Sequence, residues 1–282
     1  MTVSQGADAA IGAALAVRAR TIVDNARGAM QRLLATPAVP ASRLVVMRQR
    51  YRVLAIAAGV MVVFCMIFVD QWAYRFALAL PMWLVDVFFA ITDFGRSGWI
   101  LVPTGGVLFL IALAASSPLD QMTRGVLAAL TIRIGFIFVA VGLPGAVFAI
   151  VKRWIGRVRP SDLGPFAYEP FSWRPQYASL PSGHTLTAFA ALAAIGALFP
   201  RARPFLWAYA LVIAVSRIAV TAHWSSDVIA GAAIGTLCAL LVRDWFAQRR
   251  LGFAIGPDGE VRVLAGPSPD RIKKVARALI GP

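Results

Sequence analysis

Six blocks of apolar residues occupy most of this chain, and they limit its possible folds more than any other feature. Each block is 15 to 19 residues long, slightly short of the ~20 residues that a transmembrane helix needs. Flanking Trp, Ser and Arg side chains can extend each block to the thickness of a bilayer. The blocks cover 53–69, 98–115, 134–151, 185–199, 204–222 and 228–242. This pattern predicts a polytopic membrane protein.

Composition and charge support this prediction. Hydrophobic residues make up 59% of the chain and charged residues 15%, against roughly 45–50% and 25% in soluble proteins. A net charge of +15 could indicate a nucleic-acid partner, but the charge is concentrated at the two ends. Residues 1–52 hold eight Arg and two Asp, and residues 246–282 hold seven basic and three acidic residues. Basic flanks around an apolar middle indicate tails that lie on the cytoplasmic side of the membrane and face its anionic lipids. A nucleic-acid partner is therefore not expected.

The same distribution predicts three regions: a basic cytoplasmic tail at 1–52, a six-span domain at 53–245 and a second basic cytoplasmic tail at 246–282. Apolar residues recur at helical spacing in the first tail, which favours a helix on the membrane surface. A solvated, half-ordered tail is the alternative. The second tail is expected to form a hairpin over 253–264 and then a basic helix that ends at Gly281.

Segment 76–95 is apolar and aromatic, but Asp86 lies in its middle and Asp93 near its end. A carboxylate at the bilayer centre costs about 2.5–3.5 kcal/mol, which favours an interfacial helix over a seventh span. With six spans, both tails and the basic turn at 201–203 lie in the cytoplasm. The expected fold class is therefore all-α, a bundle of six transmembrane helices with an interfacial helix between the first two spans.

A few polar or reactive residues lie within or beside the apolar blocks. Cys65 and Cys238 are expected to be packing residues, without a disulfide or a zinc site. Arg133, at the inner end of the third block, is expected to reach lipid headgroups. With six spans, the two histidines of the chain, His184 and His223, both fall on the outer side of the membrane. The polar residues around these histidines are the candidate site.

Basic residues cluster where the third block ends. Lys152, Arg159 and Pro160 lie on the outer side, against the positive-inside bias, so topology alone does not explain them. An anionic substrate does, because Lys provides a point charge and Arg a bidentate fork for phosphoryl oxygens. Arg153 and Arg157 can be explained as headgroup anchors, which is also the alternative for the whole cluster.

The second polar segment is Pro181-Ser182-Gly183-His184, directly before the fourth block. A capped transmembrane helix explains the Pro and the Ser without any further function. The same helix start would also place the backbone N–H groups of Ser182 and Gly183 where they can bind an anion. His184 would then lie beside that anion.

The third segment holds Ser216, Arg217, His223 and Asp227. His223 and Asp227 have the spacing of one helix face, and a carboxylate that accepts from one imidazole nitrogen leaves the other nitrogen free as a nucleophile. Taken alone, such a pair is more often a structural hydrogen bond. Together, the three segments supply cations, backbone donors, two histidines and a carboxylate, a set that favours phosphoryl transfer.

In order and in spacing, these segments resemble the three-part signature of the type 2 phosphatidic acid phosphatase superfamily. Lys-x6-Arg-Pro corresponds to 152–160, Pro-Ser-Gly-His to 181–184 and Ser-Arg-x5-His-x3-Asp to 216–227. The resemblance extends over about 50–245 and covers neither tail. It implies a metal-independent lipid phosphatase of the bacterial inner membrane.

Carried over by position, the resemblance implies that His223 attacks phosphorus to form a phosphohistidine. It also implies that Asp227 holds this histidine in place. It implies that His184 protonates the leaving oxygen and then activates the hydrolytic water. The residues expected to bind the phosphoryl oxygens are Lys152, Arg159, Ser182, Gly183 and Arg217. No cofactor and no metal is expected, since residues 152–227 contain only three carboxylates, too few for a two-metal site.

The resemblance leaves the lipid open among undecaprenyl diphosphate, phosphatidylglycerol phosphate, phosphatidate and lipid A. Aromatic residues crowd the loop at 161–180, where they can grip an acyl or prenyl chain or, more simply, anchor the loop at the membrane interface. The expected partners are the lipid phosphate and membrane lipids, with no obligate protein partner evident. Six spans place the site at the periplasmic face.

Two other classes of protein compete with the enzyme. A transporter for anionic lipid or phosphate would line its path with the same cations, and it would show charged or broken spans at the midplane. The predicted polar cluster lies at one face only, which favours the enzyme. A scaffold protein without chemistry is the third class, and the intact motifs argue against it.

Overall fold

The computed structural model describes residues 3–37, 41–117 and 119–280. Ten α-helices and one antiparallel hairpin form the regular structure of these residues. The helices are α1 (Val3–Leu34), α2 (Ala41–Phe64), α3 (Asp70–Leu78), α4 (Met82–Thr92), α5 (Gly98–Ala114), α6 (Gln121–Ile155), α7 (Gly183–Leu198), α8 (Arg203–Ala219), α9 (Ser225–Gln248) and α10 (Pro269–Ile280). The strands are β1 (Phe253–Ile255) and β2 (Val261–Val263). A π-helical turn, Cys65–Val69, joins α2 to α3.

Length and apolar composition qualify five helical stretches to cross a membrane. They are Arg48–Leu78, Met82–Ala114, Gln121–Ile155, Pro200–Ala219 and Ser225–Gln248. The remaining predicted block corresponds to α7, whose 16 residues rise only about 24 Å against a hydrocarbon core of ~30 Å. Most residues of α7 are buried, so protein surrounds it. The all-α, polytopic fold class is confirmed, while the sixth span and the interfacial helix at 76–95 stay predictions.

The described residues divide into two compact units. One takes in residues of 1–38, 104–135 and 246–282, and the other takes in residues of 39–103 and 136–245. The boundaries fall inside α5, α6 and α9. The three regions expected from charge and hydropathy stay a prediction.

In the first unit, the N-terminal tail is helical over α1, as the spacing of its apolar residues predicted, and most of its described side chains are exposed. Its position on a membrane surface stays a prediction. Residues 38–40, after this helix, lie outside the described residues, as does Gly281 at the expected end of the last helix.

The C-terminal tail of the same unit forms the predicted hairpin and basic helix. Val275 of α10 packs with Val126 and Leu127 of α6. The guanidinium of Arg133 donates to the carbonyl of Leu264, directly after β2, at 2.8 Å. Backbone carbonyl groups of the protein thus accept two hydrogen bonds from Arg133, and its contact with lipid headgroups stays a prediction.

The core of the second unit lies between α7, α8 and α9. Its buried residues are Ala188, Phe189, Leu192, Ala210, Ile213, Ala214 and Val228. Two glycines let α9 approach α7 closely: a Cβ at Gly231 would lie 2.6 Å from the carbonyl oxygen of Ser182, and one at Gly235 would overlap the carbonyl of Leu186. Small residues four apart are a common means of close helix packing in membranes. This contact brings the N-terminal ends of α7 and α9 together.

Candidate active site

The first predicted segment begins in the last turn of α6 and continues into the loop after it. Lys152 lies in that turn. Gly156 then reverses the chain with φ +65°, and a Cβ there would overlap the carbonyl of Glu169. Backbone hydrogen bonds across the loop hold Arg157 and Arg159 on the far side of this bend.

The nucleophile candidate, His223, lies in the turn between α8 and α9 and belongs to neither helix. Its N–H donates to the carbonyl of Arg217 at 3.2 Å, and Thr221 reverses the chain in a left-handed conformation with φ 50°. Asp227 lies in the first turn of α9. The prediction that His223 and Asp227 share one helix face is therefore wrong, because α9 begins only at Ser225 and the turn, not a helix, brings the imidazole to the carboxylate.

The Asp227 carboxylate is completely buried and held from several sides. Its Oδ2 accepts hydrogen bonds from the Ser179 hydroxyl at 2.5 Å and from the N–H of Trp224 at 3.0 Å. The same oxygen lies 3.7 Å from Nδ1 of His223, and the Ser179 oxygen lies 3.4 Å from that nitrogen. Nδ1 of His223 therefore faces the carboxylate, which leaves Nε2 on the opposite edge of the ring.

The other oxygen of Asp227 connects to a buried charge network. Oδ1 accepts from Nη1 of Arg157 at 2.6 Å, and Nη2 of Arg157 donates to Asp70 at 2.7 Å. Arg157 has no exposed surface, so the prediction that it anchors headgroups is wrong. Asp70, the first residue of α3, was not predicted as a site residue. An aspartate directly after an apolar block was the one signal that could have pointed to it.

The three predicted cations lie close enough to repel one another: Lys152, Arg159 and Arg217. Arg159 Nε donates to the carbonyl of Pro175 at 3.1 Å, and Arg217 Nη1 donates to the hydroxyl of Thr92 at 2.6 Å. Nε of Arg217 is buried without a hydrogen-bond partner in the described part of the chain. Three positive charges in one place, together with an unused N–H donor, form a site suited to an anionic ligand.

The start of α7 lies beside these cations. α7 begins at Gly183 with Ser182 as its N-cap, and Nζ of Lys152 lies 3.9 Å from the position of a Cβ at Gly183. The N–H of Ser182 donates to the carbonyl of Asp227 at 3.0 Å. Because this N–H is already used, the hydroxyl is the group of Ser182 that can reach an anion.

His184 follows in the first turn of α7. It lies within electrostatic range of His223, Arg217 and Lys152. Its other neighbour is Gly95, where a Cβ would lie 3.0 Å from both Cβ and Cδ2 of His184. The absence of a side chain at Gly95 thus makes room for the imidazole. The structure brings both histidines, the three cations and Asp227 into one site.

Burial governs the protonation of His223. It lowers the pKa of His223 to about 4, although the Asp227 carboxylate opposes the shift, and the charges of Arg159 and Arg217 lower it further. For Arg157, burial alone would lower the pKa, but Asp227 and Asp70 raise it above its ordinary value. His223 is therefore neutral at pH 7 and can act as a nucleophile, while Arg157 remains charged.

Among the described residues, no group of three or more His, Cys, Asp or Glu side chains is placed to hold a metal ion. The expectation of a metal-independent site stays a prediction. A neutral imidazole oriented by a carboxylate, with a second histidine and three cations around it, is an arrangement suited to phosphoryl transfer. The class of protein is therefore a helical membrane protein with a candidate phosphoryl-transfer site at its helix ends.

Comparison with known proteins identifies the family. The PAP2 superfamily profile matches residues 133–251. A lipid A 1-phosphatase of Rhizobium johnstonii is 39% identical over 173 residues, which cover 60% of this chain and 70% of that protein. A second, of Rhizobium etli, is 37% identical over 174 residues, which cover 60% of this chain and 74% of that protein. The chain belongs to the PAP2 superfamily.

Other similar proteins include the phosphatidylglycerophosphatase B of Bacillus subtilis, 27% identical over 172 residues, which cover 57% of this chain and 74% of that protein. Two crystal structures are similar with a TM-score of 0.46 each. One is the transmembrane PAP2 type phosphatidylglycerolphosphate phosphatase of Bacillus subtilis, with 22% identity over 71% of this chain and 94% of that one. The other is Aquifex aeolicus LpxE, with 21% identity over 62% of this chain and 94% of that one.

With only two histidines in the chain, the pKa of His223 can be measured by nuclear magnetic resonance on protein labelled with 15N-histidine. We expect a titration midpoint near 4, below the ordinary 6.5. Between these values the unfolded chain binds more protons than the folded one, so the free energy of unfolding should fall as the pH falls through that window. His184→Asn assigns the two signals. A His223 midpoint at or above 6.5 would contradict a buried, neutral imidazole.

Proposed function

We propose that the protein removes phosphate from a lipid phosphate by way of a phosphohistidine, without a metal ion, and that its preferred substrate is lipid A phosphorylated at position 1. The observation that carries the proposal is the His223 imidazole, buried with Nδ1 toward Asp227 and placed among three cations. The substrate follows the names of the two Rhizobium relatives, with phosphatidylglycerol phosphate second, after the Bacillus subtilis relative.

The first chemical step is attack of Nε2 of His223 on phosphorus. The Nε2–P bond forms while the bond from phosphorus to the lipid oxygen breaks, and His184 gives its proton to that oxygen. Because His184 belongs to the first turn of α7, beside the cations, it is placed near the leaving group. In the second step His184 takes a proton from water, the water oxygen bonds to phosphorus and the Nε2–P bond breaks. Inorganic phosphate leaves and both histidines return to their starting forms.

The cations stabilise the charge on the phosphoryl oxygens in both steps. Lys152 and Gly183 approach the phosphate from one side, since Nζ of Lys152 lies 3.9 Å from the position of a Cβ at Gly183, and Arg217 offers its spare Nε. Arg159 supplies a further positive charge, and Ser182 a hydroxyl proton. Preorganised donors of this kind act more strongly in a buried site than in water.

The protein is a multi-pass bacterial membrane protein, and we place its site at the periplasmic face of the inner membrane with both termini in the cytoplasm. Basic tails at both ends support this orientation through the positive-inside rule. This orientation requires six spans, because an even number of spans places both tails on the same side of the membrane. It therefore requires that α7 is one of the spans.

The proposed function is tested with purified protein and a panel of lipid phosphates in EDTA. We expect phosphate release to be fastest from lipid A bearing a 1-phosphate, with inhibition by vanadate, a mimic of the phosphoryl transition state. His223→Ala should fold normally and release no phosphate. A metal-dependent phosphatase assayed in parallel verifies the chelation. Full loss of activity in EDTA would contradict the mechanism, and movement of lipid across vesicles without phosphate release would favour a transporter.

The two histidines should respond differently to the leaving group. A lipid alkoxide needs protonation, so His184→Asn should slow cleavage of a lipid phosphate by about 10²–10⁴-fold in a single turnover. Cleavage of nitrophenyl phosphate should be far less affected, because nitrophenolate departs without a proton. His223→Asn should abolish both reactions. Equal losses with both substrates in His184→Asn would show that His184 is only a phosphate ligand.

Orientation can be measured with single cysteines at Ser4, Tyr168 and Pro282 in a chain that lacks Cys65 and Cys238. In intact spheroplasts an impermeant maleimide should label only position 168, because the other two lie on the cytoplasmic side of a six-span chain. Permeabilised cells, where all three positions should react, serve as the control. Labelling of either terminus in intact cells would overturn the six-span count and make 76–95 a span.

A further inference from the structure

The Arg157 guanidinium lies wholly inside the second unit, with no exposed surface. Its Nη1 donates to Asp227 Oδ1 at 2.6 Å and to the Ser226 hydroxyl at 2.7 Å. Nη2 donates to Asp70 Oδ2 at 2.7 Å, and Nε donates to the carbonyl of Pro165 at 3.0 Å. Every nitrogen of this side chain is therefore used, and none is left for a substrate.

Asp70 completes the network from the other side. Its Oδ1 accepts from the N–H of Ser226 at 2.8 Å, and its Oδ2 accepts from the Ser226 hydroxyl at 2.6 Å. Ser226 is in the first turn of α9, so Asp70 of α3 satisfies a backbone donor that α9 itself leaves unpaired. The next residue is Asp227. Asp70 consequently sets the position of the backbone that carries the orienting carboxylate.

Arg157 then sets the rotation of that carboxylate. Oδ1 of Asp227 accepts a hydrogen bond from Arg157, and Oδ2 accepts hydrogen bonds from Ser179 and Trp224. The carboxylate therefore cannot rotate without breaking a buried hydrogen bond. The fixed carboxylate faces Nδ1 of His223. A lysine at 157 could not reproduce this, since one ammonium cannot contact two carboxylates in the geometry of a guanidinium fork.

A buried cation between two carboxylates is a costly way to join helices, because removing the charges from water offsets most of their attraction. Apolar side chains of similar volume would join α3, the loop after α6 and α9 at least as well. The hydrogen bonds of the network instead meet at the one carboxylate that orients the nucleophile.

We propose that Asp70 and Arg157 are positioning residues of the reaction, which act through Asp227 to hold His223 in the tautomer with its proton on Nδ1. Neither residue touches the substrate. The effect on turnover rests on the proposed function. The effect on the tautomer of His223 does not, so the two can be tested apart.

The test uses full-length protein labelled with 15N-histidine, in which the nitrogen shifts of His223 report its tautomer. We expect one tautomer, protonated on Nδ1, in the wild type, and a mixture in Arg157→Lys and Asp70→Asn. The matched controls are Arg153→Lys, one turn earlier, where Arg153 contacts Trp173, and Asp86→Asn, an exposed carboxylate of α4. Both controls should keep the single tautomer.

Turnover is measured on the same samples. Both variants should lose about 10–100-fold in kcat, as residues that orient a functional ligand do, with KM within about twofold because no substrate contact changes. A folded variant with an unchanged tautomer and an unchanged kcat would overturn the proposal and leave Arg157 a purely structural contact. A mixture of tautomers in the wild type would also overturn it.

If Arg157→Lys does not fold, the result for Asp70→Asn, which keeps the shape of the site, decides. Should both fail to fold, Ser226→Ala removes the hydroxyl shared by Asp70 and Arg157. A wild type without phosphatase activity but with the expected tautomers would overturn the proposed function alone.

Discussion

One arginine between two aspartates, sealed from solvent, ties together three separate parts of the chain. Arg157 comes from the loop after α6, Asp70 from α3 and Asp227 from α9. Charges can be buried only when each has a partner, and removing a partner leaves an uncompensated charge in the interior. The three elements must therefore meet at one point. The proposed nucleophile His223, in the turn before α9, and the carboxylate of Asp227, in the first turn of α9, are arranged around that point.

The site lies where helices end, for a physical reason that applies to any membrane protein. A span cannot carry a cluster of cations and histidines across hydrocarbon without a large cost, whereas helix ends combine free backbone groups with polar surroundings. Here the last turns of α6 and α8 supply Lys152 and Arg217, and the first turns of α7 and α9 supply His184 and Asp227. The close contact of α7 and α9 at Gly231 and Gly235 brings two of these ends together. The packing of these two helices thus sets the geometry of the polar site at their ends.

Membership in the PAP2 superfamily and the geometry of the site lead independently to phosphoryl transfer. The site itself indicates only an anionic group placed among cations. In the proposed mechanism, His184 is the residue nearest the leaving group, and Gly95 lies against it. Selection between lipids is therefore expected to depend on side chains around this position and on the aromatic loop at 161–180.

Much of this protein was accessible from sequence, because apolar blocks and short motifs are local patterns. The blocks predicted the helices, and the three motifs predicted the residues that the fold brings together, including His184, His223 and Asp227. Contacts between distant residues carry no such pattern. Asp70 lies 157 residues before Asp227 and 87 before Arg157, and only folding shows that they meet. The spacing of His223 and Asp227 predicted a shared helix, yet α9 starts two residues after His223 and a left-handed turn at Thr221 makes the contact instead. Sequence determined which chemical groups are available; tertiary structure decided which of them are buried together, because the free energy of burying a charge depends on partners that are remote in the chain.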